Sequence, residues 1–194
     1  QYGLKLTERA EYEFRAMDMG NIMHKVLESL IKEVNKEKLS LAELSEEERD
    51  ALADRLVDEI SADYGNTILK SSARNEYMIQ RTKRMVRRTV WAIQKQLKSG
   101  EFEPEGVEVV FQGGRIDRVD TMETDDGKLY VRVIDYKTGN TSFDLVSLYH
   151  GLQLQLMIYM DGALTVEQNK HKDKDVIPAG VFYYNIKDPM IQEK

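Results

Sequence analysis

The segment from Gly113 to Gly139, GGRIDRVDTMETDDGKLYVRVIDYKTG, constrains the fold of this chain more than any other. It reads as two β-strands joined at Asp126-Gly127, a dipeptide suited to a type I′ turn, whose two central residues both need φ > 0. Counted outward from that turn, Asp117 and Asp135 fall at nearly equal distances. The pattern therefore predicts them as cross-strand neighbours, roughly 5 Å apart at Cβ. Like charges so placed repel unless a cation lies between them, and a divalent metal is the natural candidate. Strand side chains alternate faces, so Val131, Val133, Asp135 and Lys137 share one side. A lysine beside such an aspartate, on a half-covered face, suits the orientation or activation of a water near a metal. The same alternation sends Asp120 away from Asp117 and sets it across from Arg132. A cross-strand ion pair is expected there rather than a third ligand.

A chain of 194 residues is long enough for one domain with a real core. The net charge of −6 argues against a general nucleic-acid coating protein. It does not argue against a nuclease whose metals and local basic patches meet the phosphates. There is no cysteine, so these residues hold no disulfide, zinc–thiolate or iron–sulfur site. That is neutral to weakly favourable for an intracellular location. No apolar run approaches the ~18 residues of a membrane span, and no signal peptide is visible. Because the chain starts at Gln1 and stops at a charged tail, it is expected to be a piece of something longer.

Along the chain, residues 1 to 16 read as a charged entry segment. Asp18 is a candidate cap for a helix to about Lys38, with Ile22, Met23, Val26, Leu27, Leu30, Ile31 and Val34 as its apolar stripe. His24 lies at the edge of that stripe, where a side chain can reach into a cleft. Ser45 and Glu48 fit a capping box for a second helix to about Tyr64, with Gly65 as its stop. A third helix is expected over 72–99. One side of it is apolar; the other carries Arg81, Arg84, Arg87, Arg88 and Lys95 with Tyr77 and Trp91. That basic side reads either as a phosphate track or as a solvated or subunit-docking face, the second being preferred.

After the Pro104/Gly106 break, Val107 to Phe111 reads as a strand and the hairpin follows. Residues 144–162 read as one helix, 165–175 as a polar loop and 177–186 as a final strand. Helices around a short mixed sheet indicate an α/β or α+β class. The expected division is one domain over 1–194, helical over 1–100, with the sheet and site in 101–194.

These motifs resemble the PD-(D/E)xK nuclease superfamily, in its RecB-like branch. The likeness is greatest to the C-terminal nuclease domains of AddB-type helicase–nuclease proteins. It is carried by YGLKLTERAEYEF at Tyr2 to Phe14, GNIMH at Gly20 to His24, GRIDRVD at Gly114 to Asp120, IDYKTG at Ile134 to Gly139 and GLQLQLMIY at Gly151 to Tyr159. Each motif is weak alone; their order is not. The resemblance implies an α/β fold with a restriction-endonuclease-like αβββαβ core.

It further implies that His24, Asp117, Asp135 and the carbonyl of Tyr136 bind the metal, usually Mg²⁺, with Mn²⁺ as the alternative. Lys137 would position the attacking water and, with Asp117 and Asp135, form the catalytic set. Gln155 and Tyr159 would contact DNA or support Lys137. The implied activity is exonucleolytic hydrolysis of DNA, single-stranded and fed from unwound duplex. The implied setting is an AddAB-like complex with an AddA-like partner, in double-strand break repair and recombination in the bacterial cytoplasm. AddB-type domains also carry an iron–sulfur cluster held by one cysteine before the lead-in and three after the last strand. None occurs here, so the chain is expected to lie between them and cluster binding is not assigned to these residues.

Plainer readings stand beside these. His24 could be a satisfied, partly buried histidine, and the hairpin an ordinary solvated one. An aspartate ending the apolar run Val131, Val133, Ile134 is costly, however, unless paired or metal-bound. Glu108 reads equally as a neighbour of the site or a surface residue, and His150 and His171 receive no functional reading. The whole could be a catalytically silent DNA- or partner-binding module, or a stand-alone RecB-like nuclease. The joint presence of Asp117, Asp135 and Lys137 argues against the silent module.

Overall fold

The fold, taken from a computed structural model, describes residues 16–63, 73–139, 141–151 and 153–187. Three helices come first: α1 (Ala16–Lys36), α2 (Glu46–Asp63) and α3 (Ala73–Lys98). The strands β1 (Glu103–Phe111), β2 (Gly114–Glu123) and β3 (Lys128–Lys137) follow, then α4 (Leu145–Tyr149), α5 (Gln155–Lys170) and β4 (Asp175–Asn185). The sheet order is β1-β2-β3-β4, antiparallel across the first two seams and parallel across the last. Parallel neighbours cannot be joined by a hairpin, and the α4–α5 crossover supplies the return. The chain thus has the expected α/β architecture, with β-β-β-α-β connectivity after the helices.

Each face of the sheet has its own apolar layer. Ile22, Met23, Val26, Leu27, Leu30 and Ile31 of α1 join α2, α3 and the sheet residues Ile134, Tyr136 and Ile186 in the larger one. Each such aliphatic side chain, fully buried, contributes about 1.5–3 kcal/mol. On the opposite face Val119, Val131 and Val133 pack with Met160 and Ala163 of α5. Between strands, Arg118 and Asp120 are completely buried and form a two-pronged ion pair at 2.6 Å. Arg132 adds a third charge, 2.6 Å from Asp120 Oδ2. The expected Asp120–Arg132 pair is present, with Arg118 as a further partner that strand alternation does not supply.

Several boundaries differ from expectation for identifiable reasons. The β2–β3 register pairs Arg118 with Ile134, which sets Asp117 opposite Asp135 one step on, as the turn count predicts. The turn, however, is not type I′. Gly127 alone has positive φ, at 80°, and its N–H donates to the Thr124 carbonyl. That is a tight turn closed by a left-handed glycine, which keeps the same register. β1 starts at Glu103, because Pro104 and Gly106 flank a bulge on an edge strand instead of breaking it. Asp18 lies within the first turn of α1, not before it.

The Ser45–Glu48 capping box forms in both directions, at 2.9 and 3.2 Å. The expected single helix over 144–162 is two. Asp144 caps α4, Gly151 at φ 74° lies between α4 and α5, and α5 then runs to Lys170 through the first half of the expected loop. The basic side of α3 is partly spent inside the fold: Lys83 pairs with Asp58 and Arg87 with Asp54, both on α2. The lead-in motif at Tyr2 to Phe14, Tyr64 and the Gly65 stop lie outside the described residues.

Candidate active site

The site forms where α1, the β1–β2–β3 ladder and the start of α5 meet, around an open cleft of about 760 Å³. His24, Glu108, Asp117, Asp135, Tyr136, Lys137, Gln155 and Tyr159 all line it. α1 reaches the end of β3 because residue 20 is glycine. A Cβ there would stand 3.0 Å from Thr138 Oγ1, so any larger residue must push the helix off. One turn later, His24 Nδ1 stands 3.4 Å from Asp117 Oδ1. The His24 ring meets Tyr136 edge-to-face, with ring centres 6.1 Å apart. The Tyr136 backbone N–H donates to Asp117 Oδ2 at 2.8 Å, while its phenol is buried beneath and accepts from Arg118 Nη1 at 3.2 Å. The buried charge cluster thus supports the residue that holds the first carboxylate.

Glu108 joins this group by a backbone irregularity. Its φ is 50°, in the left-handed region that a glutamate rarely adopts. The β1–β2 register places it opposite Asp117. Ile116 packs in the α5-side layer while Arg118, two residues on, bonds Tyr136 from the other side, so the regular alternation is interrupted at this pair. The consequence is that ligand atoms of His24, Glu108 and Asp117 lie within 4.8 Å of one another. Arg115 pairs with Glu108 at the rim. The turn-counting that pairs Asp117 with Asp135 also pairs Glu108 with Asp117 about the Gln112-Gly113 turn; that is the signal in the sequence that could have found it.

Asp135 stands beside this triplet, not within it. Lys137 Nζ lies 2.6 Å from Asp135 Oδ2 and donates to Gln155 Oε1 at 3.3 Å. Gln155 Nε2 in turn donates to Tyr159 Oη at 2.8 Å. Tyr159 is braced edge-to-face by Phe111, at 5.8 Å. A relay Asp135–Lys137–Gln155–Tyr159 therefore runs from β3 to the first turn of α5.

Burial holds the carboxyl groups of Glu108 and Asp135 above their usual range, in Asp135 against the opposing pull of Lys137. The hydrogen bond to Asp117 raises His24, against the lowering effect of burial. Glu108 Oε2 and Asp135 Oδ2 are buried and have no aligned hydrogen-bond donor, although a cation lies close to each. Buried oxygens of this kind are costly alone and suited to a bound cation. The donor set, carboxylate oxygens with one imidazole, fits Mg²⁺ or Mn²⁺. It does not fit an iron–sulfur cluster, since the 194 residues contain no cysteine.

Comparison with known proteins decides what this arrangement belongs to. A family model described as the PD-(D/E)XK nuclease superfamily matches residues 1–194. The chain belongs to the PD-(D/E)XK nuclease superfamily. Among its relatives are bacterial proteins named as the AddB-type (B) component of an ATP-dependent helicase/deoxyribonuclease. That of Lachnoclostridium phytofermentans is 45% identical over 98% of this chain and 17% of its own length. That of Alkaliphilus metalliredigens is 36% identical over 98% of this chain and 18% of its own. The Caldanaerobacter subterraneus protein is 38% identical over 99% and 18%. The chain therefore spans under a fifth of the length of these relatives. Among the described residues no helix is long and apolar enough to cross a membrane.

Proposed function

We propose that this chain is a metal-dependent deoxyribonuclease domain that hydrolyses phosphodiester bonds. The observation that carries the reading is the convergence of the His24, Glu108 and Asp117 donors in one cleft with the Asp135–Lys137 pair. His24, Asp117 and Asp135, with the Tyr136 carbonyl and Glu108, would hold Mg²⁺ or Mn²⁺. When bound, such an ion lowers the pKa of a water and offsets negative charge gathering on the phosphate.

The chain's own residues supply the rest. Lys137 brings a positive charge to the cleft and, held between Asp135 and Gln155, orients the attacking water and stabilises the pentavalent phosphate. Gln155 and Tyr159 set the lysine's position and form the wall along which the strand lies. Arg115, at the rim beside Glu108, meets the backbone of the incoming strand.

The names of the relatives support a setting in an AddAB-like helicase–nuclease beside an AddA-like partner. There the domain would act exonucleolytically on single strands from unwound DNA, in double-strand break repair and recombination in the bacterial cytoplasm. The test is degradation of an end-labelled single strand by the complex containing this chain. Cleavage that requires Mg²⁺ or Mn²⁺ and stops in EDTA is expected, with release of short products from an end. Cleavage that persists in EDTA, or that is unchanged when Asp117 is replaced by alanine, contradicts the reading.

A further inference from the structure

Outside the cleft, at the far end of α5, a second group of ligand-type side chains converges. Ligand atoms of Glu105, Glu167 and His171 lie within 4.8 Å of one another. Each arrives by a distinct structural device. Glu105 is the extra residue of the β1 bulge, between Pro104 paired with Asp120 and Gly106 paired with Val119; a bulge of this kind re-aims its side chain. Glu167 and His171 are spaced i, i+4 at the end of α5, so they lie on one helix face. The His171 backbone is pinned there: its N–H donates to the Glu167 carbonyl at 2.9 Å, and its own carbonyl accepts from Gln168 and Lys174.

Glu167 is what makes the group more than a surface cluster. Its side chain is 0% exposed, a rare state for a glutamate, and Oε2 has no hydrogen-bond partner. Lys170 satisfies only the other oxygen, Oε1, at 2.7 Å. His171 Nε2 faces Oε2 across 3.6 Å, too far for a hydrogen bond. Bonds of about 2.0–2.1 Å from a tetrahedral Zn²⁺ place its ligand atoms about 3.3 Å apart. The His171–Glu167 gap is close to that span, and Glu105, exposed and flexible, closes the third side. His171 also lines an open cavity of about 930 Å³ together with Glu105, which gives an ion a path inward.

We propose that Glu105, Glu167 and His171 form a second divalent-metal site, for Zn²⁺ or a metal of like coordination, separate from the nuclease cleft. Two carboxylates and one imidazole neutralise the ion and leave a fourth position for water. Bound there, the metal clamps the bulged start of the edge strand β1 to the end of α5. Lys170, 42% exposed at its side chain and near both carboxylates, is the competing cation that holds the place in its absence. The site is structural, and its occupancy does not depend on the activity proposed for the cleft.

The test is Zn²⁺ binding by the full chain, by equilibrium dialysis and thermal unfolding, in an Asp117→Ala background that weakens the cleft. One tightly bound equivalent is expected there, with a rise in unfolding temperature of about 5 °C at saturating zinc. Adding His171→Ala removes the equivalent and the rise, and Lys170→Met tightens binding several-fold. In the otherwise unaltered chain, which covers the case of an unfolded background, His171→Ala lowers the bound zinc by one equivalent. Zinc stoichiometry and thermal shift unchanged by His171→Ala overturn the proposal, as does the absence of any bound zinc in the Asp117→Ala protein.

Discussion

At the scale of single residues, the cleft divides into groups that bind and groups that hold them. Asp117 is fixed by the Tyr136 N–H, and Tyr136 by Arg118, so its carboxylate needs no reorganisation to meet a cation. Lys137 depends on Gln155, and Gln155 on Tyr159. Gln155→Ala should therefore lower kcat about 10-fold with little change in KM, by freeing the lysine to collapse onto Asp135. Tyr159→Phe should give a smaller loss of the same kind, since it removes only the acceptor of the Gln155 amide. Steady-state cleavage kinetics of both variants check this, and a pure KM effect would place the two residues on the DNA instead.

The individual ligand types are legible in the sequence because strand alternation and turn counting are rigid rules: they pair Asp117 with Asp135 and turn Asp120 toward Arg132. Glu108 escapes those rules because its approach depends on a left-handed φ of 50°, which local pattern does not announce. His171 carries no sequence signal because its partners are brought together only by a bulge and a helix end.

At the scale of elements, close approach and capping position the site. Gly20 lets α1 lean on the end of β3, 3.0 Å being the distance left for a Cβ against Thr138 Oγ1. Gly20→Ala should shift α1 and carry His24 from Asp117, weakening divalent-metal binding about 10-fold. Trimming the obstacle with Thr138→Ala in the same chain should restore it. Metal titrations of the single and double variants measure this; absence of rescue would show that Gly20 serves some other purpose.

The α2 capping box offers a pH test. Hydrogen bonds from Ser45 hold Glu48 below its ordinary value of 4.5. A carboxylate lowered in the folded state stabilises above the unfolded pKa, and that contribution is lost as pH falls through the folded one. The unfolding-temperature gap between the parent and Glu48→Ala should therefore be constant from about pH 8 to 6 and shrink below pH 4.5. Helix existence is readable from apolar spacing, but the α4–α5 break is not. Apolar residues continue across it, and only Gly151, with φ 74°, marks the turn.

At the scale of the molecule, the sheet separates a helical layer from the α5 layer, and its seam carries buried charge. Arg118, Asp120 and Arg132 form a cluster whose two central members are fully buried. Asp120→Asn leaves two guanidinium groups competing for one neutral amide and should cost about 3–5 kcal/mol, measured by denaturant unfolding. The layered architecture is legible because runs of amphipathic helix and alternating strand admit few packings. The role of α3's basic side is not, because its pairing with α2 arises only once the two helices lie side by side.

All of this architecture converges on one claim: that Lys137, held between Asp135 and Gln155, acts beside a metal bound in the cleft. The most direct measurement is Mg²⁺-dependent single-strand cleavage by the complex carrying Lys137→Ala, with unfolding monitored in parallel. The account predicts a fall in kcat of about 100-fold or more with folding unchanged. Parent-level cleavage by a folded Lys137→Ala protein would contradict it.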